Sequence, residues 1–140
     1  MSDFKIRNGC WANLETDAKL IREQVFIQEQ HISSADEWDA EDAISLHFIA
    51  YDQEQAIATA RLLKNNSIGR VAVLQAYRGQ GVGRKLMQHI IQLAQQQGRS
   101  FVKLSSQVHA IEFYASLGLV VEGEEYLDCG IPHIDMRLCF

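Results

Sequence analysis

At 140 residues, with 47% hydrophobic and 22% charged side chains, the chain has the size and mix of one ordinary globular domain. Its formal net charge of -5, with lysines and arginines scattered rather than massed, argues against general nucleic-acid binding. No stretch nears the ~20 apolar residues of a membrane span, the opening MSDFKIRNGC lacks a signal-type apolar core, and Cys10, Cys129 and Cys139 lack disulfide or metal-ligand spacing, so reduced thiols, no metal and a cytoplasmic setting are expected.

Residues 4–6 read as a short strand, and the helix after it carries Leu14, Ala18, Ile21 and Val25 on one stripe. SLHFIAY at 45–51 alternates as a strand with Leu46, Phe48 and Ala50 on one face. The turn DQEQ then folds it back onto a second strand at 56–62. Asn65, Asn66 and Ser67 turn the chain into residues 68–74, which are apolar on both faces from 71 to 74 and therefore predict a central strand. The next helix shows Leu86, Ile90, Leu93 and Gln97 on one stripe, with Met87, Ile91 and Ala94 beside it and Gln88, Gln92 and Gln95 turned away. Gly98 ends it. A strand at 101–105, a short helix at 107–117 stopped by Gly118, a strand from Leu119 and an alternating strand at 134–138 complete the order.

Ahead of the second long helix stands Arg78-Gly79-Gln80-Gly81-Val82-Gly83-Arg84. Glycines there supply backbone angles that other residues resist, or clear side chains from a surface that a ligand must approach. The first turn of a helix offers unpaired N–H groups and partial positive charge, so the glycines leave those donors open to an anion such as a phosphate. Arg78, Arg84 and Lys85 add charge; a tight turn without a ligand is the alternative. A dinucleotide fingerprint fails because Leu86 stands where its third glycine belongs and no acid lies near position 103. A P-loop fails because Arg84 comes five residues after Gly79.

The stretch resembles the acetyl-CoA signature R/Q-x-x-G-x-G/A of the GNAT superfamily of N-acetyltransferases. AIEFYASLGL at 110–119 resembles that family's A-x-x-F-Y-x-x-L-G-F, while VFIQEQ, EWD and GIPHIDM resemble segments of a bacterial YjcF-like subgroup. The element order also matches. The resemblance implies an α/β fold, with a mixed and mostly antiparallel central sheet flanked by helices, as one domain over 1–140. It implies transfer of an acetyl group from acetyl-CoA directly to a primary amine of a small molecule or peptide. The alternative is a CoA-binding regulatory module of the same fold without turnover.

On that resemblance, main-chain groups of Val71, Ala72 and Val73 hold the pantetheine arm. The N–H groups of Arg78, Gly79, Gln80, Gly81, Val82, Gly83 and Arg84 hold the pyrophosphate. Tyr114 is the expected proton donor to the departing thiolate. Gln107 or His109 stands where the family often has a cofactor-contacting asparagine. An ammonium with pKa near 10.4 must lose a proton before it attacks, so a base is needed. Glu29, Glu37, Asp39, His47 and His133 are candidates. Glu29, Asp36, Glu37, Asp39, Glu41 and Asp42, with Trp38, suggest an acidic wall that attracts a cationic acceptor; a merely solvated loop is the alternative. The implied partners are acetyl-CoA and an amine, with no nucleic acid or membrane, and a homodimer is left open.

Overall fold

The structure, a computed structural model, describes residues 4–32 and 39–140. Strand β1 (Phe4–Gly9) leads into helix α1 (Trp11–Arg22), which runs on as a wider π-helical turn, Glu23–Glu29. Strands β2 (Leu46–Asp52), β3 (Gln55–Leu62) and β4 (Ser67–Val73) form a meander. Helix α2 (Val82–Gln96), β5 (Phe101–Gln107), the short helix α3 (Ile111–Ala115), β6 (Val120–Asp128) and β7 (Ile131–Cys139) follow. They build a seven-stranded sheet in the order β1-β2-β3-β4-β5-β7-β6. Every neighbouring pair is antiparallel except β4 with β5, so the expected mixed, mostly antiparallel sheet is present. No helix among the described residues is long and apolar enough to cross a membrane.

Both faces of the sheet are covered over β2, β3 and β4, whereas β6 is exposed along its length. On one, Leu86, Met87, Ile90 and Ala94 of α2 pack on Phe48, Ala50, Ala58 and Ala60. On the other, Leu14, Ala18, Ile21 and Val25 lie over Ile49, Tyr51 and Ala72. The α1 stripe and the single-face reading of Leu46, Phe48 and Ala50 therefore hold, and the opposite face of β2 is buried as well. Leu86, Met87 and Ile90 are wholly buried. At roughly 1.5–3 kcal/mol for each such side chain, this face pins the start of α2 against the sheet. Gln97, expected on the stripe, is instead the exposed residue that caps the helix before Gly98 (φ 78°).

Strand β4 is the fourth of the seven, as its apolar run implied, and it carries an irregularity that shapes the site. Three steps along β4, from Gly69 to Ala72, oppose two along β3, from Arg61 to Thr59. The extra residue sits where Arg70 takes a left-handed φ of 52°. A bulge bends and twists its strand. Pairing with β5 accordingly stops at Ile68 with Leu104, and the two parallel strands diverge beyond it. Several boundaries differ from expectation, among them the end of β1, which runs to Gly9 instead of residue 6. Gln107 ends β5 rather than opening a helix, the helical segment starts as a 3-10 turn at Val108, and β7 begins at Ile131 instead of residue 134.

Candidate active site

The gap between β4 and β5 opens into a cleft of about 770 Å³. Val71, Ala72 and Val73 line its β4 side, and the β4–α2 turn closes one end through Gly79, Gly81, Val82, Gly83 and Arg84. Across from them stand Gln107, Phe113 and Tyr114. Val25, Phe26, Glu29 and Gln30 of the α1 extension and Asp128, Cys129 and His133 of the β6–β7 hairpin complete the wall. The expected cofactor residues thus converge on one cavity, except that Gln80 lies outside its lining and turns its side-chain amide back to the Ala76 carbonyl (3.2 Å).

The three glycines divide the work. Gly79 and Gly81 have φ of 78° and 83°, and a Cβ added to either would meet nothing within 4 Å. The backbone shape here is one that glycine favours, and the space beside both positions is open. Gly83 is different: its Cβ would make ordinary contacts, 3.5 Å from Phe113 Cζ and 3.6 Å from Val73 Cγ2, so it faces neighbouring side chains rather than open space. The first helical bond runs from the Lys85 N–H to the Gly81 carbonyl (3.0 Å). The N–H groups of Val82, Gly83 and Arg84 ahead of it have no helical acceptor.

The basic residues are not equally placed. The Arg84 guanidinium donates to Ser116 Oγ (2.6 Å) and lies 5.9 Å from the Phe113 ring centre, at the cleft. Lys85 reaches away to the Phe4 carbonyl (2.6 Å), so its charge does not serve this turn. Arg78 donates two bonds to Glu29 (2.6 and 2.8 Å), and its Nε donates to the Val73 carbonyl (3.0 Å). The guanidinium therefore bridges the α1 extension to the end of β4. Its bonds to Glu29 hold that carboxyl below the ordinary range.

Tyr114 packs its ring edge-on against Phe113 with 5.0 Å between centres. Burial pushes its phenol up to about 12. Gln107 and His109 act together: the His109 Nε2 lies 2.7 Å from Gln107 Oε1, while the Gln107 amide donates to Gln30 Oε1 (3.0 Å). Consecutive residues Glu29 and Gln30 thus tie to opposite lips of the cleft, one to Arg78 after β4 and one to Gln107 ending β5.

The candidate bases separate cleanly. His47 is buried outside the cleft lining, donating Nε2–H to the Asp42 carbonyl (2.8 Å) under Trp11. Asp39 also lies outside the lining: it accepts from Arg61 (2.7 and 2.9 Å) and Arg70 (3.1 Å), and these bonds, those of Arg61 foremost, bring its carboxyl down to about 2. The expected acidic wall is in this part neutralised, since Asp42 is likewise held by Arg22 and Arg61. Asp36, Glu37 and Trp38 lie outside the described residues. Glu29 is in the cleft but paired, and His133 is in the cleft. Nothing local in the sequence announced Gln30, Arg70 or Asp128, which also line it, as does Cys129 beside the last hairpin.

Comparison with known proteins places this geometry. The family model for the acetyltransferase (GNAT) domain matches residues 14–140. The uncharacterized N-acetyltransferase YjcF of Bacillus subtilis is similar at 35% identity over 124 residues, covering 86% of this chain and 89% of the relative. An acyl-CoA N-acyltransferase from Pseudomonas aeruginosa is similar in structure with a TM-score of 0.88, 32% identity and coverage of 98% and 100%. Escherichia coli ElaA superposes with a TM-score of 0.87 at 28% identity, covering 97% and 99%.

Proposed function

The chain belongs to the GNAT acetyltransferase family, whose members use acyl-CoA, and from that premise we propose that it transfers an acetyl group from acetyl-CoA to a primary amine of a small molecule or peptide. The observation that carries this reading is the β4–α2 turn. Gly79 and Gly81 open their bare backbone onto the cleft that Tyr114 lines from the other side. The cradle fits a pyrophosphate: open space where two Cβ atoms would be, orphan N–H groups at the head of a 15-residue helix and the Arg84 cation beside it. Val71, Ala72 and Val73, released from β5, have the position to pair with an extended amide-bearing arm.

Acetyl-CoA supplies an acyl group already activated as a thioester. The protein holds it and stabilises the charge that moves to sulfur. Tyr114, at about 12, lies well above a thiol near 8.5, so its hydroxyl keeps its proton and serves the thiolate as a hydrogen-bond donor. This refines the expected proton-donor role in a direction set by burial. Asp39 and Asp42 spend their charge on arginines, which leaves the cationic preference of the acceptor to residues outside that pair.

The test is thiol release from acetyl-CoA against a panel of amines and peptides. The wild type is expected to release thiol with at least one acceptor. Tyr114→Phe should lose about 10²-fold or more in kcat while KM for acetyl-CoA is nearly kept. Tight acetyl-CoA binding with no release against any amine would return the chain to a non-catalytic CoA-binding module. Full activity in the phenylalanine variant would remove Tyr114 from the chemistry.

A further inference from the structure

His133 enters the cleft from β7, between Gln107 of β5 and Tyr126 of β6, its partners in the sheet. It is only 8% exposed, yet it lines the same cavity as Tyr114. Its Nδ1 lies 2.6 Å from the Ile131 carbonyl. A carbonyl only accepts, so Nδ1 carries the ring proton and the neutral imidazole keeps its lone pair on Nε2. Among the described residues Nε2 has no protein partner, and the buried side-chain polar atoms without one comprise Arg61 Nε alone. Nε2 is therefore reached by solvent.

The ring is also held in place. Tyr126 stacks on it, 6.2 Å between centres with planes 24° apart. The Tyr126 hydroxyl donates to Asp135 (2.7 Å) and accepts from Ser105, so three strands fix the plate against which the imidazole lies. The other charged or titratable groups of this wall are Asp128 on β6 and Cys129 in the turn. Across the cleft, among the described residues, stand Glu29 bound to Arg78, Arg70, Tyr77, Arg84, His109 and Tyr114.

We propose, on the acetyl-transfer reading above, that His133 is the catalytic base, with Nε2 taking the proton of the attacking amine. As the amine nitrogen forms the C–N bond to the acetyl carbon, its proton passes to Nε2 and the C–S bond breaks. The electron pair leaves with sulfur as a thiolate that Tyr114 hydrogen-bonds. The imidazolium later returns its proton to solvent, and the thiolate takes one from solvent on release. A neutral imidazole with its lone pair on Nε2 has the proton acceptor that this step requires.

The test uses His133→Asn, whose amide nitrogen can keep the bond to the Ile131 carbonyl while the atom at Nε2 disappears, and His133→Gln, which keeps a polar but non-basic atom there. With the amine found by thiol release, both variants should bind acetyl-CoA as tightly as the wild type and lose about 10²- to 10⁴-fold in kcat. Below the pKa values of both amine and base, log kcat/KM should fall by about two per pH unit in the wild type and about one in the variants, because one required deprotonation is gone. Nitrogen-15 NMR of the unaltered protein should show the His133 Nδ1–H tautomer at neutral pH, a readout that survives any folding defect in the variants. An unchanged slope or near-wild-type kcat in the variants, or the opposite tautomer, overturns the role of His133 alone. A wild type that acetylates no amine overturns the acetyl-transfer reading, and the base with it.

Discussion

At Gly81 one added side chain separates backbone strain from charge. Its φ of 83° opposes any L side chain, but asparagine tolerates that region and aspartate is nearly its isostere. Gly81→Asn therefore reports the strain and bulk, and Gly81→Asp adds a negative charge where phosphates are proposed to lie at the head of α2. Acetyl-CoA affinity measured by calorimetry should fall at least about tenfold further in the aspartate variant than in the asparagine one, a difference of about 1.4 kcal/mol. Raising salt should narrow the difference. Equal affinities would place the pyrophosphate elsewhere. The reading of Gly79 and Gly81 from sequence succeeded in locating the turn because its signal is local, a few positions before a periodic helix. The same locality misled for Lys85, whose ammonium reaches a carbonyl 81 positions away.

Among the elements, β4 decides whether there is a cleft at all. Its apolar run made it legible as a central strand, but the bulge at Arg70 was not, since the extra residue exists only relative to the partner strand. The π-helical turn of α1 was equally hidden: the spacing of Leu14, Ala18, Ile21 and Val25 fits an ordinary helix, and the wider turn begins only at Glu23. Glu29 and Gln30 find partners 49 and 77 residues away, distances that no pattern along the chain encodes. Deleting Arg70 isolates what the bulge does. It restores a two-for-two register with β3 and keeps Val71 to Val73 on their present faces, which a slip of the strand would not. The shortened β4 should then continue its pairing along β5 and close the gap. A cooperatively melting protein with acetyl-CoA affinity reduced tenfold or more is expected, by about 1.4 kcal/mol at least. Wild-type affinity in the deletion variant would mean that the strands part for another reason.

Across the whole molecule, a polar network joins α1, the segment entering β2, β3 and β4 on one side of the cleft. Arg22 of α1 (1% exposed) and Arg61 of β3 share Asp42 (3% exposed), and Asp39 connects Arg61 to Arg70 on β4. Breaking one partner of a buried set typically costs about 3–5 kcal/mol, so Asp42 anchors the segment entering β2 to α1 and β3 on the face that α1 covers. His47 sits inside this network, and its environment makes the stability of the protein depend on pH. Burial is the main influence, and Arg22 and Arg61 add to it; together they outweigh the Asp42 carbonyl and carboxylate and lower the imidazole pKa below its ordinary value. A base whose folded pKa lies below its unfolded one binds its proton more readily when unfolded. Its contribution to stability is therefore complete above about pH 6.5 and lost as the pH falls below that, at up to about 1.4 kcal/mol per pH unit until the folded ring also protonates. Asp39 extends the decline at lower pH: its folded value of about 2, against an ordinary 3.8, gives stability that is present above the ordinary value and disappears as the pH drops toward 2. His47→Gln can keep a donor for the Asp42 carbonyl and cannot titrate. Urea midpoints taken between pH 7.5 and 5 should fall steadily for the wild type and stay nearly level for the glutamine variant, and the two should decline alike below about pH 4. Parallel curves across the upper range would assign the acid sensitivity to another group.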